Sequence, residues 1–200
     1  MGVGGQGVIR TLQILIRATN LDDPDQNVRT GETHGMAQRG GSVEGYLRFG
    51  SDVHSPLTPR GYSHVMLAFE PIEAIRRIEY VGPKTVILVN DKIIPPPSVY
   101  RKKDCFYPEI SEIKKNLEKI SKNVFIIKAH EMAKNAGDSR AANVLMLGIL
   151  SGLGSKVLPI KRDNLMKAIL EFVPKKTYGI NETAFKLGIE KGISIRGDIQ

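Results

Sequence analysis

The chain opens with Met1-Gly2-Val3-Gly4-Gly5-Gln6-Gly7, in which Gly2, Gly4 and Gly7 form a G-x-G-x-x-G pattern. Such a pattern normally forms the tight turn between a buried strand and a helix, where backbone N–H groups and the helix N-terminus can hold a phosphate. Only Met1 precedes the first glycine, so the strand that usually leads into this turn is missing from the sequence. We therefore expect a nucleotide-type α/β unit without its first strand.

The residues that follow the turn predict the helix of this unit. From residue 6 to about residue 18, apolar residues recur at helical spacing and form one broad face. The polar run at residues 20–27 then predicts a loop. The apolar face comprises Val8, Ile9, Leu12, Ile14, Leu15 and Ile16.

Further along, predicted strands alternate with predicted helices. Ser42–Phe49 alternates like a half-exposed strand, and three short apolar runs are typical of strands covered on both faces. This order predicts an open, mostly parallel Rossmann-like α/β sheet with helices on both faces, in a single domain that spans residues 1–200. The short runs are 65–69, 85–89 and 124–127, and the helices between them are 71–80 and 110–120.

The last third of the chain predicts helices only. Residues 141–153 carry almost no charge, which indicates a helix that is buried on all sides. Segments 164–172 and 181–190 predict two more helices, the last of them ended by Gly192.

The composition is that of an ordinary globular protein. Of the 200 residues, 41% are hydrophobic and 25% are charged, and no run approaches the roughly 20 apolar residues that a membrane-spanning helix needs. No leader segment is visible, so we expect a cytoplasmic protein without a membrane partner. The lone cysteine, Cys105, excludes an internal disulfide and cannot by itself hold a zinc ion or an iron–sulfur cluster.

The net charge of +8 raises the question of a polyanionic partner. The basic residues are dispersed along the chain, and aromatic residues that could stack on bases are not interleaved with them. We therefore expect no nucleic acid, and instead a surface that meets an acidic protein or a phosphorylated cofactor.

A second glycine-rich segment, Thr33-His34-Gly35-Met36-Ala37-Gln38-Arg39-Gly40-Gly41-Ser42, carries polar groups between its glycines. Such a loop can present Thr33, His34, Gln38 and Arg39 to a substrate or to a partner surface. Arginine suits this task because it binds carboxylate or phosphate through two parallel hydrogen bonds. Alternatively, the glycines serve only tight turns and Arg39 pairs with Glu32 or Glu44. Composition alone leaves both interpretations open.

Taken together, these segments resemble a known family. In order along the chain, from Gly2 to about Lys191, they are similar to the gamma-type domain of the 2-oxoacid:ferredoxin oxidoreductases. The string from Thr33 to Gly41 separates the indolepyruvate branch, whose beta subunit the chain resembles most, from the pyruvate and 2-oxoglutarate branches. The other matching segments lie at residues 55–57, 68–74, 95–99 and 143–148.

The resemblance implies one subunit of an enzyme that decarboxylates aryl 2-oxoacids oxidatively to acyl-CoA and passes the electrons to ferredoxin. It further implies that thiamine diphosphate and the iron–sulfur clusters are held by a large alpha subunit, and that the present chain is inactive without it. CoA is then a co-substrate. A competing hypothesis is an autonomous Rossmann-like protein that binds NAD, flavin or CoA by itself.

Within this framework the opening turn is the candidate cofactor site. We expect Gly2, Gly4, Gly5, Gln6 and Gly7 to hold the pyrophosphate of CoA. NAD is disfavoured because it requires a carboxylate at the end of a second strand, whereas the nearest acids lie in the predicted loop. The alternative is a turn that serves only the close packing of helix and strand.

The remaining titratable residues suggest no catalytic group and no metal site. His54, His64 and His130 show no metal-ligand spacing. Glu70 and Glu73 begin a predicted helix, where acids are favoured by the helix dipole. Cys105 has no neighbouring base, which indicates a structural thiol rather than a nucleophile.

Overall fold

A computed structural model describes residues 1–34, 40–96 and 106–200, with His34 described through its backbone alone. The strands are β1 (Gly2–Val3), β2 (Val28–His34), β3 (Ser42–Phe49), β4 (Ser63–Ala68), β5 (Val81–Asn90) and β6 (Val124–Ile127). The helices are α1 (Val8–Asp22), α2 (Pro71–Arg76), α3 (Ile110–Glu118), α4 (Ala129–Asn135), α5 (Ala142–Gly152), α6 (Arg162–Phe172) and α7 (Tyr178–Ile195). None of these helices is both long and apolar enough to cross a lipid bilayer.

The strands form two three-stranded sheets. One sheet has the order β4-β5-β6 and is parallel throughout, which confirms the predicted α/β class with its helical C-terminal third. The other has the order β1-β3-β2 and is antiparallel. Strand β2 was not predicted, because its sequence is polar and contains Gly31. Backbone pairing with β3 over its whole length, rather than burial of apolar side chains, holds it in place.

The residues that lead into the opening turn do form a strand, although β1 has only two residues. Gly2 pairs with Val43 and Val3 with Ser42 on β3. On the other side, the Met1 amine donates to the Leu67 carbonyl at 2.7 Å, and the Phe69 N–H donates to the Met1 carbonyl at 2.9 Å. Met1–Val3 therefore joins the two sheets. Side-chain periodicity cannot reveal so short a strand, since it is defined by backbone hydrogen bonds alone.

A groove continues from β1 between the facing edges of β3 and β4. Its volume is about 640 Å³, and Leu12 and Leu15 of α1 and Leu150 of α5 contribute to its walls. Beyond the β1 pairings, the described residues supply no partner for this edge of β3. At its β1 end one strand, Met1–Val3, fills the space between β3 and β4, and strand edges form two walls of the groove.

The core is centred on α5, where every residue from Asn143 to Gly152 is buried, as predicted. Helix α7 packs directly on it. A Cβ on Gly188 would lie 2.2 Å from the Leu145 carbonyl oxygen, and a Cβ on Gly192 would lie 2.2 Å from that of Ile149. The prediction that Gly192 ends the last helix is therefore wrong: Gly192 lies inside α7 because only glycine fits against α5 there.

Other differences from the predicted elements lie at their ends. Helix α1 continues to Asp22, so the predicted loop at residues 20–27 begins later. Helix α2 ends at Arg76 and a 3-10 turn at Ile78–Tyr80 completes the predicted segment. Helix α4 was not predicted, since its seven residues are too few to show a clear period.

Candidate functional site

The opening turn presents unpaired backbone donors at the start of α1. Gly5 and Gly7 have φ values of +103° and +80°, in the left-handed region that favours glycine. Gly7 is the N-cap of α1, where no side chain caps the helix and no acidic residue occupies the first turn. Among the described residues, the N–H groups of Gly5, Gly7 and Val8 have no hydrogen-bond partner. Such donors at the positive end of a helix can bind an anion.

Gln6 holds the turn in this shape. Its Oε1 accepts from the Val3 N–H at 2.8 Å, and its Nε2 donates to the Phe69 carbonyl at 2.7 Å. The Gln6 N–H donates to the Val3 carbonyl at 3.1 Å, which closes the turn itself. Gln6 therefore links the turn to the end of β4, and its polar groups are engaged within the fold.

Gly2 and Gly4 also serve the shape of the turn. A Cβ on Gly2 would meet Gln6 Oε1 at 2.8 Å and Phe69 Cβ at 3.0 Å. The Gly4 N–H donates to the Gly41 carbonyl at 2.9 Å. Of the five residues predicted to bind the cofactor, these two and Gln6 shape the turn, whereas Gly5 and Gly7 direct free donors outward. Contact of any of them with a cofactor stays a prediction.

The structure brings the two glycine-rich segments together. The Gly4–Gly41 hydrogen bond joins them, and the β3 residue Val43 pairs with Gly2 on one side and with His34 on the other. Two strand spacings, roughly 10 Å, therefore separate the backbones of Gly2 and His34. Thr33 is exposed on β2 opposite Glu44. Gln38 and Arg39 lie outside the described residues, as does Cys105.

Two buried carboxylates tie the start of β3 to α2. Ser42 Oγ donates to Glu73, which also pairs with Arg76 at 3.2 Å. Arg77 donates to both oxygens of Glu44, and these hydrogen bonds raise the pKa of the arginine above its ordinary value. Glu44, proposed above as one possible partner of Arg39, is therefore already engaged by Arg77.

Glu70 is a fully buried N-cap rather than a free acid. Its Oε2 accepts from the N–H groups of Ile72 at 2.7 Å and Glu73 at 3.2 Å, which caps α2. Its Oε1 accepts from the Tyr107 hydroxyl at 2.6 Å and the Ile94 N–H at 3.1 Å. Burial raises the pKa of Tyr107, and the bond to Glu70 adds to the shift. Glu70 thus fastens both ends of the segment 94–107 to α2.

Sequence reasoning missed two asparagines beside the turn. Asn143, on the first turn of α5, is 8% exposed, and its Nδ2 lies 3.0 Å from the position that a Cβ on Gly7 would occupy. Asn90, at the end of β5, donates from Nδ2 to the Phe69 carbonyl at 3.2 Å, while its buried Oδ1 has no partner in the described part of the chain. The available signal was a polar residue in an otherwise apolar element, which is a helix for Asn143 and a strand for Asn90.

No group of three or more His, Cys, Asp or Glu side chains suited to a metal ion occurs in the ranges that the structure describes. The site is thus a set of backbone and amide donors at the edge of a parallel sheet, next to a helix N-terminus. This is where open α/β sheets bind ligands. The arrangement of backbone and amide donors can hold an anionic group.

The sequence and the fold place the chain among the oxoacid oxidoreductases. The sequence matches the family Pyruvate ferredoxin/flavodoxin oxidoreductase over residues 1–191, and the chain belongs to that family. The fold is similar to a keto/oxoacid ferredoxin oxidoreductase gamma subunit from Geobacter sulfurreducens, with a TM-score of 0.67, 22% identity, and coverage of 96% of this chain and 95% of that one.

Among curated relatives, the chain is 41% identical to the indolepyruvate oxidoreductase subunit IorB of Archaeoglobus fulgidus, over 98% of this chain and 94% of the relative. It is 36% identical to the protein of the same name from Thermococcus kodakarensis, over 98% and 95% of the two chains. A 2-oxoglutarate:ferredoxin oxidoreductase from Magnetococcus marinus, solved with 2-oxoglutarate, coenzyme A and succinyl-CoA bound, shares the fold with a TM-score of 0.63 and 20% identity, over all of this chain and 30% of that chain. The chain is therefore an oxidoreductase subunit of the 2-oxoacid type.

Proposed function

We propose that this chain is the small subunit of an enzyme that oxidatively decarboxylates indolepyruvate and related aryl 2-oxoacids to aryl-acetyl-CoA, with ferredoxin as the electron acceptor. The observation that carries the proposal is the 41% identity, over almost the whole of both chains, to a protein named indolepyruvate oxidoreductase subunit IorB. Thiamine diphosphate and the iron–sulfur clusters then belong to a large partner subunit, and activity requires both chains in one cytoplasmic assembly.

We further propose that the opening turn binds the pyrophosphate of CoA. The free N–H groups of Gly5, Gly7 and Val8 and the uncapped N-terminus of α1 support this assignment. The empty space beside Gly5 supports it as well. A Cβ there would meet nothing within 4 Å, so the turn is open toward a ligand. Arg39 and His34, on the adjoining segment, would contact the anionic substrate or the large subunit.

Reconstitution tests the enzymatic proposal. The chain is purified alone and with a large subunit of the indolepyruvate type, and reduction of ferredoxin is followed with indole-3-pyruvate, pyruvate or 2-oxoglutarate, with and without CoA. We expect CoA-dependent reduction by the assembly only, with indole-3-pyruvate as the preferred substrate. Turnover by the isolated chain, or a preference for pyruvate or 2-oxoglutarate, would overturn the proposal.

Gly5→Val tests the role of the turn, because it places a branched side chain where the phosphate must approach the backbone. Loss of charge-assisted hydrogen bonds worth about 1.5 kcal/mol would raise the KM for CoA about tenfold. Gly61→Val is the matched control: Gly61 also has a positive φ of +77° and empty space around it, but it lies in the loop before β4. If both variants lose stability equally and neither changes the KM for CoA, the turn is a packing device.

A further inference from the structure

The N-termini of two helices meet at Asn143 and Gly7. Asn143 is the second residue of α5, and Gly7 caps α1. In the described part of the chain, no side chain caps the first turn of either helix and neither first turn holds an acidic residue. Asp138 caps the 3-10 turn Ser139–Ala141 that leads into α5, and its carboxylate is paired with Arg140. Each helix N-terminus carries the equivalent of roughly half a positive charge, so two of them side by side favour an anion with more than one charge.

The side chain of Asn143 has no partner among the described residues. It is 8% exposed, and its side-chain amide makes no hydrogen bond with any residue that the structure describes. Its Nδ2 is directed at the cap of α1, 3.0 Å from the Cβ position of Gly7. The polar atoms of this amide are not among the fully buried ones that lack a partner, so a ligand can reach them from solvent, whereas most of the rest of α5 is filled by apolar residues.

We propose that Asn143 is a ligand-binding residue and forms, with the N-termini of α1 and α5, a two-helix site for a diphosphate group. Asn143 Nδ2 donates to one phosphate, and the N–H groups of Gly5, Gly7 and Val8 donate to the other or to the bridging oxygens. The site accordingly prefers diphosphate to a single phosphate. This inference rests on the proposed binding of CoA at the opening turn. It adds Asn143 as the residue that binds the second phosphate.

The buried asparagine of α7 provides a matched control. Asn181 is 6% exposed, and its Nδ2 donates to the Thr177 carbonyl at 2.8 Å and to Thr177 Oγ1 at 3.1 Å. The Nδ2 group of Asn181 is therefore engaged within the fold, and the residue is far from the turn in sequence. Replacing it removes a bonded amide, whereas replacing Asn143 removes an unbonded one.

Calorimetric titration of the full chain with inorganic diphosphate, and separately with inorganic phosphate, tests the proposal in Asn143→Leu, Asn143→Ser and Asn181→Leu. We expect the Kd for diphosphate to rise at least fivefold in both Asn143 variants and to stay unchanged in Asn181→Leu. Conversely, the melting temperature should fall in Asn181→Leu and should not fall in Asn143→Leu. Asn143→Ser, which is smaller, serves if the leucine variant does not fold.

The outcomes separate this proposal from the one above. Unchanged diphosphate binding in a folded Asn143 variant, or equal affinity of the wild type for phosphate and diphosphate, would overturn the two-helix site. If Gly5→Val weakens binding and the Asn143 variants do not, the turn binds the ligand without Asn143. Asn143-dependent diphosphate binding in a protein whose assembly does not oxidise indole-3-pyruvate would keep the site and reject the proposed reaction.

Discussion

The opening turn and the contact between α5 and α7 both depend on glycine, but for opposite reasons. In the turn, Gly5 needs its left-handed backbone, and a Cβ there would meet nothing within 4 Å. Between the helices, Gly148 and Gly188 have ordinary helical backbone, and a Cβ on either would lie within 2.3 Å of a carbonyl oxygen of the other helix. One region uses glycine to expose backbone donors, and the other uses it to bring two backbones together.

The difference shows which region stabilises the fold and which region can bind a ligand. Close approach of α5 and α7 buries α5 and the glycine-containing face of α7, and leaves no room for a ligand between them. The turn is anchored mainly by Gln6 and by Met1–Val3, and the N–H groups of Gly5, Gly7 and Val8 have no partner among the described residues. Substitutions of glycine should therefore cost stability between the helices and should cost binding at the turn.

The largest effect is expected for Gly188→Ala. Its Cβ would lie 2.2 Å from the Leu145 carbonyl oxygen, which is backbone and cannot move aside, so the two helices must separate. We expect a loss of about 3 kcal/mol or more in the free energy of unfolding, measured by urea denaturation. Gly179→Ala, at the exposed start of the same helix with nothing within 4 Å, is the control and should be neutral or slightly stabilising. Equal losses in both variants would contradict the close-contact explanation.

An intermediate effect is expected for Gly7→Ala. The variant forces a non-glycine residue to a φ of +80° and places its Cβ 3.0 Å from Asn143 Nδ2. Left-handed backbone costs roughly 1–2 kcal/mol, and displacement of Asn143 should bring the loss to about 2 kcal/mol. Gly61→Ala carries the same strain, at a φ of +77°, in open space, so it should lose less stability than Gly7→Ala. The order of the two melting temperatures checks this prediction. The reverse order would show that the Asn143 side chain moves aside without a cost in stability.

The smallest effect concerns the support of the turn by β1. A short apolar extension fused ahead of Met1, rich in Val and Ile, would continue β1 into the groove between β3 and β4. Burial of apolar surface at about 25 cal/mol per Å², offset by ordering the added chain, should raise the melting temperature by about 2–6 °C. A Gly-Ser extension of equal length is the control and should have no effect. If both extensions act alike, the groove does not accept a strand.

We also expect the apolar extension to change how the free energy of unfolding depends on pH. Burial lowers the pKa of the Met1 amine from 8.0 to about 6, although Glu44 and Glu73 oppose the shift. Between these pH values the unfolded chain binds a proton that the folded chain does not, so the free energy of unfolding should rise from pH 6 to pH 8, by about 1–2 kcal/mol for a partly buried group. Denaturation at both pH values should show a smaller rise in the apolar-extended chain.

Several parts of this fold could be predicted because their side chains repeat with the period of the element that they form. Helix α5 is apolar on all sides and is indeed buried. The sequence of β3 alternates and does form a strand, although its burial does not alternate, because Glu44 is buried beside Val43. Strand β2 and the extension of α7 through Gly192 could not be predicted in this way. The polar residues of β2 are held by pairing with β3, and Gly192 is helical because Gly152 lies against it.

By itself, the sequence determined the α/β class, the buried helix α5 and the glycine turn with its helix, because each of these depends on the order of neighbouring residues. Only the tertiary structure decided that Gly4 meets Gly41, that Met1–Val3 joins the two sheets, and that Asn143 lies beside Gly7. These contacts join segments far apart in the chain through backbone hydrogen bonds and close packing. Local periodicity cannot predict such contacts, since they depend on which elements the folded core brings together.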